Sequence, residues 1–286
     1  MPTAPPRISE RRYADLANEE DVLIRRRNFF GAAAAFFLIL MVVTMVLDAL
    51  TTVNEDRSFH AGATPRVVIR DAVGRGLRGG LEVRAGGADR IRVEGKVHAT
   101  WRVHYVLEQR GEDVVIEVEP RPLIGWLGLL GPARFVVTAP AATRLDIETS
   151  RAPIKIQGVT GGGVLRTTNG PVHLVGAGGQ LTAATTNGPI AMDGFDGTAE
   201  LRSTNGPIDV QGSRGTFDVQ TTNGGIAVRL RGEPNLRIDA QSTNGPVTTR
   251  RPITDSHGNG HTLSGSIGPG DGELSLRATN GPITIE

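Results

Sequence analysis

The phrase Thr-Thr-Asn-Gly-Pro that begins at Thr167 returns, with small changes, from Thr185, Ser203, Thr221, Ser242 and Ala278. Its asparagines, Asn169, Asn187, Asn205, Asn223, Asn244 and Asn280, are 18, 18, 18, 21 and 36 residues apart. Self-similarity at a fixed period is the signature of stacked repeats, in which each unit buries its apolar face only against its neighbours. No other feature of the chain restricts the fold as strongly. The final spacing is twice eighteen, so either a degenerate copy or an inserted loop is expected between Asn244 and Asn280. One earlier copy is disguised in "TSRAPIKI", where Arg151 takes the Asn place.

The phase of each residue within the unit predicts its local structure. Three residues after the Asn place stand Ile154, Val172, Ile190, Ile208, Ile226, Val247 and Ile283. Two residues later come Ile156, Leu174, Met192, Val210, Val228, Thr249 and Ile285, while the residue between varies freely. That is the period-two pattern of a strand with one buried face. A second strand precedes the Asn, with Ile147, Leu165, Ala183, Leu201, Val219, Ala240 and Leu276 inward and more polar or small neighbours outward. The first Thr of the phrase falls on the inward face, where its hydroxyl needs a backbone acceptor. Asn-Gly is expected to bend the chain through left-handed angles, and Pro to start the next strand. The opposite corner reads Gly-x-x-Gly, as in Gly176/Gly179 and Gly194/Gly197.

The fold class expected is all-β: a two-sheet β-solenoid of about 18-residue coils, preceded by one N-terminal transmembrane helix. An antiparallel hairpin-repeat β-sandwich, with Asn-Gly turns joining each pair, satisfies the same alternation and stays open. The regular repeats are placed at 144–286. An irregular β region at 64–143 precedes them, with alternating stretches such as "RVVIRD" and "DVVIEVEP". Within it "PLIGWLGLLGP" at 122–132 reads as an apolar cap or core plug, or as an exposed patch for a partner. Residues 48–63 read as a juxtamembrane linker.

From Asn28 to Leu47 twenty residues carry no charge, about 30 Å of helix and the thickness of a bilayer's hydrocarbon core. Arg25, Arg26 and Arg27 precede the run, and Asp48, Glu55 and Asp56 follow it. The positive-inside rule makes 1–27 a cytoplasmic tail, 28–47 the span, and the rest extracytoplasmic. A cleaved signal peptide is the alternative, but its apolar region is usually shorter.

Composition narrows the function classes. There is no cysteine, which removes disulfides, thiolate metal sites and cysteine nucleophiles. A net charge of +1 gives no support for a dedicated nucleic-acid binder, which normally needs a clustered basic face. Glu200, Asp218 and Asp239 share one outward phase and would form an acidic row across three coils, best read as solvated, with cation binding or glycan hydrolysis as alternatives. "DSHGNGH" brings Asp255, His257 and His261 into a Gly-rich loop without a third strong ligand, so a flexible insertion is expected. An ice-binding Thr array would need Thr-x-Thr, whereas here the two Thr are adjacent and face opposite ways. No catalytic, cofactor-binding or metal-binding residue is assigned, and no cofactor is expected.

The stretches "GLEVRAGGADRIRVEGKV", "FVVTAPAATRLDIETSRAPIKIQG" and "LRTTNGPVHLVG" resemble a bacterial family of candidate adhesins of unknown function, with toast-rack-like β-solenoid envelope domains. The resemblance spans about Val67 to Glu286. It implies a domain beside a membrane segment in a protein linked to envelope-stress signalling. With the anchor, the repeats and the missing catalytic set, the expected function is non-enzymatic adhesion or scaffolding, with an envelope-stress sensor as the alternative. A polysaccharide-active enzyme is a remote third reading. Expected partners are the membrane, through the single anchor, and envelope proteins or cell-wall and surface polysaccharide.

Overall fold

A computed structural model describes residues 29–43, 46, 50, 52–71, 77, 79–97, 103–120, 133–212, 214–232 and 234–286. The chain divides into two units, Met1–Leu50 and Thr51–Glu286. In the first, residues 29–43 form a helix with Phe29, Phe30, Phe36, Phe37 and Ile39 all exposed. Among the described residues no helix is long and apolar enough to cross a membrane. The expected cytoplasmic tail 1–27 and the apolar loop 122–132 lie outside the described residues.

The second unit is built of strands. Its N-terminal part contributes β1 (Val53–His60), β2 (Arg66–Asp71), β3 (Gly80–Ala85), β4 (Arg90–Val97), β5 (Val103–Arg110), β6 (Asp113–Pro120) and β7 (Ala133–Ala139). Coils follow as strand pairs: β8 (Arg144–Thr149) with β9 (Ile154–Gln157), β10 (Gly163–Thr167) with β11 (Val172–Val175), and β12 (Gly178–Thr185) with β13 (Ile190–Asp193). Next come β14 (Asp196–Ser203) with β15 (Ile208–Gln211), β16 (Arg214–Thr221) with β17 (Ile226–Arg229), and β18 (Leu236–Ser242) with β19 (Val247–Thr249). A hairpin, β20 (Thr254–Asn259) and β21 (Thr262–Ile267), precedes the last coil, β22 (Gly272–Ala278) with β23 (Ile283–Ile285).

The coils stack in parallel, one pair per turn, into an 11-stranded and a 12-stranded sheet. The register is residue for residue: Leu165 lies beside Ala183, Thr167 beside Thr185, and Ile190 beside Ile208. This resolves the two architectures in favour of the solenoid, because a hairpin repeat would pair successive strands antiparallel. The inward columns are the ones the phases predict. Ile154, Val172, Ile190, Ile208, Ile226 and Ile283 line the inner face of one sheet, and Ile147, Leu165, Ala183, Leu201, Val219 and Leu276 line that of the other; all are buried. Thr249, at an inward phase in the sequence, is exposed because β19 is the last strand of its sheet.

Three features depart from the sequence reading. First, the Asn-Gly corner is not left-handed: no residue of these phrases has positive φ, whereas Gly176, Gly194 and Gly212 of the opposite corner do, at 57°, 68° and 57°. The Gly of the phrase is required by close approach instead, since a Cβ on Gly188 would lie 2.1 Å from the carbonyl oxygen of Gly170. Second, the coils are not stacked in chain order. β22 lies between β16 and β18, and β23 between β17 and β19, so the C-terminal coil occupies a slot that the preceding coil skips. The 36-residue interval holds an insertion rather than a degenerate coil, and the insertion is an ordered antiparallel hairpin whose β21 pairs with β18. Third, the stretch read as linker contains β1, paired antiparallel with β4 at the edge of the 11-stranded sheet. Its Phe59 packs on the core and its Asp56 faces outward, while Glu55 and Arg57 share the face of Phe59, a pattern too sparse in apolar residues to be recognised locally.

Candidate functional site

The Thr-Thr-Asn-Gly-Pro corner creates a surface feature that runs the length of the stack. The first hydroxyl residue of each copy (Thr167, Thr185, Ser203, Thr221 and Ser242) is buried. It bonds within its own corner and to the next coil: the Thr185 hydroxyl accepts from the Gly188 amide at 3.1 Å and donates to the Gly170 carbonyl at 3.3 Å. Ser203, Thr221 and Ser242 donate likewise to Gly188, Gly206 and Gly281. The expected backbone acceptor is therefore the Gly carbonyl of the neighbouring coil.

Because this residue turns inward, the residues on either side of it stand as two walls. One wall is Thr168, Thr186, Thr204, Thr222, Thr279 and Thr243, whose side chains are exposed and make no hydrogen bond among the described residues. The other, in spatial order, is Glu148, Arg166, Ala184, Arg202, Gln220, Arg277 and Gln241. Together they line a furrow of about 760 Å³. Along the threonine wall runs an amide ladder. Asn187 donates to Asn169, Asn205 to Asn187, Asn223 to Asn205, and Asn244 to Asn280, each at 2.7 Å, and Asn280 donates to Asn223 at 2.8 Å. All five bonds point the same way, so the side-chain dipoles align and reinforce one another.

The acidic row predicted from Glu200, Asp218 and Asp239 is broken. Glu200 and Asp218 are register neighbours, but Ser275 of the inserted coil stands between Asp218 and Asp239. The two adjacent carboxylates are compensated: Glu200 pairs with Arg202, and Asp218 accepts from Gln220 at 3.0 Å and faces Arg277 at 3.6 Å. His257 and His261 do not converge on a metal either. Their Nδ1 atoms contact the carbonyls of Asp255 and Gly245 at 2.7 and 2.9 Å, and the second contact ties the hairpin to the β18–β19 corner. No group of three His, Asp or Glu able to hold a metal ion is found among the described residues.

Elsewhere, Glu82 is buried on the outer face of the other sheet among Arg84, Lys155 and Arg134, at 2.9, 3.2 and 3.6 Å. Burial pushes its carboxyl up, and the hydrogen bonds from Arg84 and Lys155 more than offset this, so it titrates below the usual range. This node links β3, β7 and β9. The furrow itself was not recognised from sequence, although its residues were assigned to outward phases. The alternation Arg166, Ala184, Arg202, Gln220 runs in chain order, and its continuation to Arg277 exists only in the permuted spatial order.

The family model "Toastrack DUF4097" matches residues 137–286, just over half of the chain. The chain belongs to that family. No curated protein matches it in sequence. Among solved structures, it is similar to a cell adhesion protein candidate from Clostridium sporogenes, at 13% identity and a TM-score of 0.41, covering 82% of this chain and 99% of that one. A candidate adhesin from Bacteroides fragilis matches at 8% identity and a TM-score of 0.37, covering 82% and 97%. A candidate lipid-binding protein from Parabacteroides distasonis matches at 12% and 0.31, covering 82% and 96%.

Proposed function

We propose that this toastrack protein is a non-enzymatic, membrane-anchored envelope protein whose solenoid is displayed outside the membrane as a binding face for adhesion or scaffolding. The observation that carries the reading is the furrow: a continuous polar surface whose free hydroxyls repeat with the strand spacing and suit an extended partner. The anchor is supported by the helix at 29–43, whose phenylalanines and aliphatic residues are exposed and demand apolar surroundings. With the uncharged run 28–47 and the triple arginine before it, this argues for one crossing with the N-terminus inside.

The test uses the full-length protein in its native membrane. It is expected to resist carbonate extraction, to lose its C-terminal unit to protease added outside the membrane, and to retain cell-wall or surface polysaccharide on pull-down. Release by carbonate, or a C-terminal unit protected from external protease, would remove the reading. Deleting 1–24 should leave display intact; loss of a stress response with display preserved would favour the sensor instead.

A further inference from the structure

We infer that the furrow binds a linear acidic polysaccharide with one carboxylate on every second sugar, laid along the axis of the stack. The inference rests on the reading of the solenoid as a binding face and specifies its ligand. Four observations lead to it. The wall residues come from seven successive strands, β8 to β18, so the furrow extends about 29 Å at the usual spacing of ~4.8 Å per strand. That suits a polymer better than a small molecule. Its threonine wall offers a free hydroxyl at every step, each both donor and acceptor, which complements a chain of sugar hydroxyls.

The opposite wall supplies the charge. Arg166, Arg202 and Arg277 stand on alternate strands, with neutral Ala184 and Gln220 between them, so guanidinium groups recur about every 9.6 Å. An extended β-linked glycan presents one disaccharide over a comparable length. A polyphosphate or nucleic acid, charged at every unit, would call for cations on every strand. Arg166 has no carboxylate partner among the described residues. Arg202 and Arg277 each share one carboxylate outside the furrow, and their remaining N–H groups are free to grip another. Glu148, the single acid of the lining, is held by Arg70 at 2.9 Å. No aromatic residue among the described residues lines the furrow, so a neutral glycan would lack the stacking platform such ligands commonly use. The inward hydroxyls and the amide ladder fix the corner backbone and the threonine wall, which lowers the ordering cost of binding on that side.

The experiment uses full-length protein in zwitterionic nanodiscs. The probe is an oligosaccharide of alternating glucuronate and N-acetylglucosamine, about ten sugars long and read by calorimetry; its carboxyl-reduced form is the comparison. The acidic form is expected to bind, and the reduced form at least about a hundred-fold more weakly, because every carboxylate contact is removed at once. R166Q, which breaks no contact within the fold, should weaken binding about ten-fold, and R166Q/R202Q/R277Q about a hundred-fold or more. T186V/T204V should weaken it several-fold. R229Q, on the outer face of the other sheet, should leave it unchanged. Equal binding of the reduced form overturns the inference, as does wild-type affinity in the triple variant, or polyphosphate binding as well as the uronate. If the uronate fails but native membranes still retain wall polysaccharide, only the furrow's ligand is wrong; if neither binds, the display reading falls with it.

Discussion

Ala278 occupies the place where Thr149, Thr167, Thr185, Ser203, Thr221 and Ser242 each carry a buried hydroxyl. Its coil therefore lacks the group that would donate to the Gly224 carbonyl and accept from the Gly281 amide. A278S should restore both bonds, raising stability by about 1 kcal/mol and Tm by roughly 2–4 °C, measured by thermal unfolding. No change, or a loss, would mean that the slot beside Gly224 is too tight. Glu82 makes the opposite case. With a side chain only 7% exposed and three cations around it, E82Q leaves those charges without their counter-ion and should cost about 1–3 kcal/mol in chemical denaturation. E200Q, which breaks a solvated pair, should cost under about 0.5 kcal/mol.

At the scale of elements, the inserted coil is the part that holds the C-terminal end together. β22 pairs with both β16 and β18, and β23 with both β17 and β19. Deleting 272–286 should therefore release 234–271 to protease while the coils up to β17 remain protected, as read by limited proteolysis and mass spectrometry. Protection of 234–271 in the truncated chain would show that β18 can close directly onto β16. The same elements mark how far the sequence was legible. Ile190 and Leu201 were assignable to inward columns because a side chain's face follows from period two alone. The Asn phrase identified its own inward hydroxyl for the same reason. Stacking order was not legible, because β18 and β22 present nearly equivalent edges and the sequence does not state which one meets β16. Asp239 was misplaced beside Asp218 on that account, and the alternation ending at Arg277 stayed hidden. The left-handed turn expected at Asn-Gly failed because a neighbouring coil, absent from any local reading, imposes the need for glycine there.

For the strand-built unit as a whole, one end carries an edge strand of each sheet, β1 and β5. Glu55 of β1 accepts a hydrogen bond from the Tyr105 hydroxyl of β5, and Arg57 donates to the Leu107 carbonyl at 3.3 Å. The Tyr105 phenol is pushed up from 10.0 to about 12, first by burial and then by its bond to Glu55. A folded pKa above the unfolded one means that the stabilisation is complete below about pH 10. It is then lost as pH rises towards about 12, because the unfolded chain ionises first. Denaturation midpoints should fall across that window, and Y105F should flatten the fall; an unchanged slope in Y105F would assign the alkaline transition to other groups.

The amide ladder has a chemical consequence as well. Asn followed by Gly is the dipeptide most prone to spontaneous deamidation, which proceeds when the Gly amide nitrogen attacks the Asn side chain to close a succinimide ring. Here each Asn amide is held by its neighbours, and the Gly170, Gly188 and Gly245 amides are bonded to the hydroxyls of Thr167, Thr185 and Ser242. The folded stack thus locks the reactants of its own ageing reaction apart, so that the repeat which makes the chain chemically vulnerable also protects it for as long as the coils stay closed.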